Sequence, residues 1–161
     1  MDKRFVLTAV GTSAAAISCA SHADITVTFD EISLLGAEGI SEALGDISGT
    51  LTGITYTYTW ANNTGDSSWA SDTMFGISIN DSYGISIGGY NLSMSDISGV
   101  VNSSWGYGGG IAGSPDNGTY SGSISLSVAS FSGIGTAWMA NGWNGSGGST
   151  LSGTLTFQGL V

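Results

Sequence analysis

An all-β fold is predicted, an antiparallel β-sandwich of jelly-roll-like type with eight or nine strands and no substantial helix, and three observations predict it. Apolar and polar residues alternate with period two over short segments. Clusters of Gly, Asn, Asp and Ser separate those segments at fairly regular intervals. No stretch sustains the spacing of an amphipathic helix.

Ile25, Val27 and Phe29 alternate with Thr26, Thr28 and Asp30 and open the series. Residues 31–50 read as a loop with at most one helical turn, because Gly36, Gly39 and Gly45 weaken the helix suggested by Leu34-Leu35 and Ile40–Leu44. The clearest strand follows: Ile54, Tyr56, Tyr58 and Trp60 lie on one face, Thr55, Thr57 and Thr59 on the other. That is the pattern of an antiparallel strand buried on one side. Asn62 to Asp66 supplies turn chemistry. Ile77-Ser78-Ile79 and Ile85-Ser86-Ile87 flank Asn80-Asp81-Ser82 as a hairpin. A further strand is expected through Leu92 and Met94, followed by a loose stretch over 102–118. Tyr120, Ile124, Leu126 and Val128 share parity in the next strand, Ile134, Thr136 and Trp138 in another, and Leu151, Leu155 and Phe157 in the last. The inward set is therefore Ile54, Tyr56, Tyr58, Ile124, Leu126, Val128, Trp138, Leu155 and Phe157.

Residues 1–23 have the order of a secretory signal. Lys3-Arg4 gives a charged start, an apolar stretch runs to Ile17, and Ser21-His22-Ala23 places small residues before a cleavage at Asp24. The expected product is residues 24–161, one domain, secreted to the periplasm or beyond. No second apolar run long enough for a transmembrane helix follows.

Removing the signal removes every Lys, Arg, His and Cys in the chain. Twelve acidic residues less Asp2 leave eleven, so the remaining side chains carry a net charge of −11. Nucleic acid is excluded as a partner on this composition, since phosphate neutralisation needs Lys or Arg. Disulfides, Ser-His-Asp catalysis and His- or Cys-based metal sites are excluded with it. What remains is carboxylates, hydroxyls, amides, aromatics and backbone.

Three kinds of site use those groups. Trp69, Trp105, Tyr107, Asn141, Trp143 and Asn144 sit at expected strand ends or in Gly-rich loops, with the makeup of a sugar-binding surface. The competing account is that these rings close the ends of the core. Calcium is the one metal the composition suits, because it takes carboxylate and backbone oxygens. Asp66, Asp72 and Asp81 flank the central turns and are the candidate ligands, with turn-forming aspartate as the alternative. A carboxylate pair acting on a glycoside is the enzymatic option, but no spacing singles out a pair, so the expectation is a protein without catalytic residues. Thr55, Thr57 and Thr59 make one row of hydroxyls such as an ice- or crystal-binding face uses, and one row is not an array.

Ser71-Asp72-Thr73-Met74-Phe75-Gly76-Ile77-Ser78-Ile79 brings an acidic residue into an apolar strand. With Gly135–Ala140, Asn141-Gly142-Trp143 and Gly153–Gly159, it resembles jelly-roll accessory domains of the proprotein-convertase P-domain type, as found in small exported Gly/Ser/Thr-rich bacterial proteins. The resemblance implies a β-sandwich with no catalytic residues of its own. The chain departs from it in lacking the tryptophan that such domains often carry in the last strand. The functional expectation is an exported surface, matrix or carbohydrate-binding module whose partner is a polysaccharide or cell-surface component. The alternatives are a carboxylate-only hydrolase, or a structural subunit that self-associates through strand edges.

Overall fold

The structure, a computed structural model, describes residues 24–63, 70–81, 83–88, 101–103, 117–126, 130–142 and 148–161. The signal expected at 1–23, the strand expected at Leu92 and Met94, and Val128 lie outside the described residues. The described chain is all-β. Its strands are β1 (Asp24–Leu35), β2 (Gly39–Asn62), β3 (Thr73–Ile79), β4 (Tyr83–Gly88), β5 (Val101–Ser103), β6 (Gly118–Ser125), β7 (Ser130–Asn141) and β8 (Gly148–Leu160). A 3-10 turn at Ala70–Asp72 precedes β3, and the described residues contain no α-helix. None is therefore long and apolar enough to cross a membrane.

All the strands belong to one hydrogen-bonded sheet in the order β1-β8-β2-β7-β3-β4-β5, with β6 also paired to β2. Seven of them pair antiparallel, and the short β5 adds in parallel to β4. β3 and β4 are the expected hairpin, with Asn80 and Asp81 in the left-handed region at φ 50 and 52°. Asn and Asp tolerate that conformation better than most residues.

The loop expected over residues 31–50 is instead strand. β1 runs on to Leu35, and β2 begins at Gly39 and continues for 24 residues. The glycines that argue against a helix there are compatible with a strand that bends. β2 pairs with β7 from Gly39 to Thr50, with β8 at Gly49 and again from Gly53, and with β6 from Gly53 onward. Its register shifts between Ala43 and Gly45 and again between Gly49 and Gly53. Gly45 (φ 75°) and Gly49 (φ 134°) take conformations that side chains disfavour.

These irregularities turn a corner. Phe75 of β3 lies in the row of Met139 and Ile40. From Ile40 to Tyr56 along a straight strand is roughly 50 Å, at about 3.3 Å per residue. Yet the rings of Tyr56 and Phe75 are 4.9 Å apart. The sheet must double back between the two. A second contact agrees: a Cβ placed on Gly153, the partner of Tyr58, would lie 3.0 Å from Met139 Cε and 2.5 Å from the Thr57 carbonyl oxygen. The Thr57 carbonyl leaves no room for a Cβ there, and the Met139 methyl closes onto the same point of β8.

Most of the buried apolar residues among those described form one core. Ile25, Val27 and Phe29 of β1, Ile54, Tyr58 and Trp60 of β2, Phe75 and Ile77 of β3, and Leu151, Leu155 and Phe157 of β8 are all buried in it. Tyr56, Ile124 and Leu126 are only partly buried and pack against it. Trp138 departs from the expected parity. It is buried in a separate cluster with Met74 and Ala140, while Phe131, Ala137 and Met139 of the same strand enter the main core. Ile134, on Trp138's parity, is 60% exposed. Apolar residues on both sides of β7 make its sequence ambiguous to a period-two reading.

Leu155 is fully buried and Leu126 is not. Leu155→Ala should therefore lose about 2–5 kcal/mol of stability, the usual range for a leucine truncated in a core. Leu126→Ala should lose about half of that or less, in proportion to the smaller area it hides. Urea denaturation of the two variants checks the ranking, and equal losses would contradict this assignment of the core.

Candidate functional site: a hydroxyl face on four strands

β1, β8, β2 and β6 lie side by side and bury one set of alternate residues. The other set points outward, and registration places it in rows across the strands. One row is Thr26, Thr156, Thr55 and Ser123, and the next is Thr28, Thr154, Thr57 and Ser121. In the third row Ser152, Thr59 and Thr119 align. Eight threonines and three serines thus occupy these rows. The remaining place in the third row falls where β1 carries an irregularity, between Phe29 and Ile32, that takes in Asp30 and Glu31.

Neighbouring hydroxyls touch. Thr26 and Thr156 are 3.0 Å apart, Thr28 and Thr154 3.2 Å, and Thr59 and Thr119 2.8 Å. Either hydroxyl of such a pair can donate. Thr28, Thr57, Thr59, Thr119, Ser121 and Ser123 are exposed, and Thr26, Thr55, Ser152, Thr154 and Thr156 are half-buried among their neighbours. Threonine is held at few χ1 angles by its branched Cβ, so its methyl and hydroxyl repeat in a fixed relation. No acidic residue stands among these eleven hydroxyls, and the exposed Asp30 and Glu31 take the β1 end of the third row. Asp24 sits one row beyond them, and its Oδ1 accepts from the Gly159 amide at 3.0 Å.

The inner side of the same strands is aromatic. Tyr58 stacks on Tyr120 at 5.4 Å and lies 6.0 Å from Tyr56, whose ring meets Phe75. The Tyr58 hydroxyl donates to the Ala70 carbonyl at 3.0 Å. Burial pushes the Tyr58 phenol far above its ordinary value near 10, and the neighbouring Tyr56 and Tyr120 push the same way against a smaller opposing hydrogen bond from Thr73. Burial also raises Tyr56. This stack backs the hydroxyl rows of β2 and β6 with rigid rings.

The residues singled out from sequence are distributed differently. Trp69, Trp105, Tyr107, Trp143, Asn144 and Asp66 lie outside the described residues. Asn141 is buried at the end of β7, where its Nδ2 donates to Ser149 Oγ at 3.4 Å and its backbone amide donates to the Glu38 carbonyl at 2.9 Å. It ties β7 to its neighbours and does not present its amide at the surface. Asp72 is buried ahead of β3, and its carbonyl accepts from Gly142 N at 2.6 Å. Asp81 is exposed in the turn after β3. The seven residues of β3 separate the two aspartates by roughly 20 Å or more of extended chain, a span one ion cannot bridge. Among the described residues, no group of three or more acidic side chains gathers to hold a metal.

Of the hydroxyl face, only Thr55, Thr57 and Thr59 stand out in the sequence. Thr26 and Thr28, Thr119 to Ser123, and Ser152 to Thr156 each show the same period of two, but their alignment depends on pairings far apart in the chain. No protein-family model, curated protein or solved structure matches this chain.

The raised phenols set an alkaline limit. Below pH 10 the Tyr58 hydroxyl is protonated in both the folded and the unfolded chain. Above it the unfolded chain ionises first, so stability falls as pH climbs towards the higher folded value, by at most about 1.4 kcal/mol per pH unit for each such group. Tyr58→Phe should cost about 1 kcal/mol at pH 7 through loss of the bond to Ala70, and should flatten the decline above pH 10. Denaturation midpoints at pH 7 and between pH 10 and 12 test both, and an unchanged alkaline slope in the variant would contradict the burial of this phenol.

Proposed function

We propose that the chain is an exported, non-catalytic binding module that engages an extended, uncharged surface through the hydroxyl rows of β1, β8, β2 and β6. The observation that carries this reading is the register itself. Four strands contribute eleven aligned hydroxyls to one outward face, with acidic residues only at its β1 margin, in a chain whose side chains beyond the expected signal are otherwise strongly negative. A face serving only solubility would be expected to carry charge. The doubling-back of the sheet supports a sandwich-like architecture, and the likeness to jelly-roll accessory domains belongs to the same proposal.

A carboxylate-only hydrolase is less well supported. The Glu38 carboxylate accepts from Leu35 N at 2.9 Å, and that of Asp24 is engaged by Gly159 N. Both therefore have structural duties at backbone amides. Assembly through strand edges is disfavoured at β1, where the irregularity with Asp30 and Glu31 interrupts the edge. Bulges and charges of this kind blunt an edge against pairing.

The test is retention on neutral solids, comprising crystalline polysaccharides, cell-envelope fragments and ice, with release of soluble sugar measured alongside. The full chain should be retained on at least one solid and release no sugar. Thr57→Lys, which places a charge in the middle row, should lower the retained fraction by about tenfold or more. Sugar release that disappears when a single carboxylate is changed to its amide would replace this reading with the hydrolase.

A further inference from the structure

The hydroxyl face has a two-dimensional repeat, and a repeat constrains what it can bind. Adjacent strands stand about 4.8 Å apart, and outward residues recur every second position, about 6.7 Å along a strand. The rows Thr26-Thr156-Thr55-Ser123 and Thr28-Thr154-Thr57-Ser121 therefore form a regularly spaced net that follows the twist of the sheet, extended by Ser152, Thr59 and Thr119. A ligand matching it point by point must itself be periodic in two directions. Hydroxyls alone fill the eleven positions, and the acidic Asp24, Asp30 and Glu31 stand only at the β1 margin. No described residue is a cation that could meet an anionic surface, so the ligand that fits the net itself is uncharged.

Two neutral periodic surfaces remain: a crystalline polysaccharide and ice. Sugar rings bind protein faces largely by lying on aromatic side chains, and the three rows contain no aromatic residue. Every position is instead a rotatable hydroxyl that can donate or accept. That matters for ice, where each surface oxygen presents a proton or a lone pair without fixed order, so a binding group must be able to reverse its role. The threonine methyls contribute the second half of the match. Water next to a methyl loses orientational freedom, and a hydroxyl fixed beside each methyl can anchor that ordered layer to the lattice. The rings of Tyr56, Tyr58 and Tyr120 stack on the inner side of β2 and β6, and a face held in place before binding has a lower ordering cost.

We propose that the hydroxyl net of β1, β8, β2 and β6 is an ice-binding face. This rests on the reading of that face as the protein's binding surface, and it names the surface bound.

The experiment grows an ice front slowly through a solution of the full chain and measures the fraction of protein taken into the ice, against a reference protein that does not bind ice. Crystalline cellulose and chitin are run in parallel as adsorbents. Three variants accompany the natural chain: Thr57→Lys in the middle row, Ser121→Lys in the same row on β6, and Ser132→Lys on the exposed side of β7 away from the net. The natural chain and Ser132→Lys should enter the ice several-fold above the reference. Thr57→Lys should fall to the reference level with its far-ultraviolet spectrum unchanged, and Ser121→Lys gives the same reading if Thr57→Lys fails to fold. Exclusion of the folded natural chain from ice, or full retention of ice uptake in both net variants, overturns the proposal. Adsorption to cellulose or chitin that needs Thr57, without entry into ice, also overturns it but leaves the binding-face reading standing. Failure to bind any of the three solids overturns both.

Discussion

Strand β2 serves two parts of the sheet, and the rest of the structure depends on how it passes from one to the other. Its first half pairs with β7, and its second half is held between β8 and β6. A continuous strand of this length would carry the two halves far apart. The register shifts around Gly45 and Gly49 bend it instead, so that Tyr56 meets Phe75 and Met139 closes on Gly153. That closure creates the interior in which Tyr58, Leu155 and Phe157 are fully buried. It also fixes which side of the second half faces out.

Turning the even-numbered residues of β2 from Ile54 to Trp60 towards the core leaves Thr55, Thr57 and Thr59 as the outward set. Antiparallel pairing then extends the choice to the neighbours, because a residue's partner across the ladder points to the same side. Thr154, Thr156 and Ser152 follow from β8, Thr26 and Thr28 from β1, and Thr119, Ser121 and Ser123 from β6. The hydroxyl net and the core are thus two sides of one registration. A slip of one residue in any of these ladders would put threonines inside and isoleucine or tyrosine outside. Cross-strand hydroxyl pairs such as Thr26–Thr156 add a modest term of their own, of order 0.2–1 kcal/mol each. The larger penalty against a slip is the exposure of the core.

The period-two segments were legible because each strand of this half of the sheet has one buried side, and Ile25, Val27, Phe29, Ile54, Tyr58, Leu155 and Phe157 reveal it directly. The corner was not, because glycines at 36, 39 and 45 look locally like a loop, and only tertiary pairing makes them parts of long strands. Trp138 misled for a related reason: β7 buries residues on both of its sides, so parity there no longer separates core from surface. Aromatics and aspartates attract attention as site residues because their chemistry is distinctive one at a time. Asn141 and Asp72, once placed, are buried parts of the framework. Threonine is ordinary in any single strand, and its significance here comes from alignment between segments as distant as Thr26 and Thr156.

The most direct test of this account is the pattern of methyl contacts across one row. In a protein with its threonine methyls selectively labelled, nuclear Overhauser effects should link Thr28 to Thr154 and Thr154 to Thr57, with a parallel series from Thr26 through Thr156 to Thr55. Ring protons of Tyr56 should show contacts to Phe75 in the same spectra. Methyls of Thr28 or Thr57 in contact with the side chains of Leu155 or Phe157 would instead reveal a slipped register, and with it both the folded-back core and the hydroxyl net would be lost.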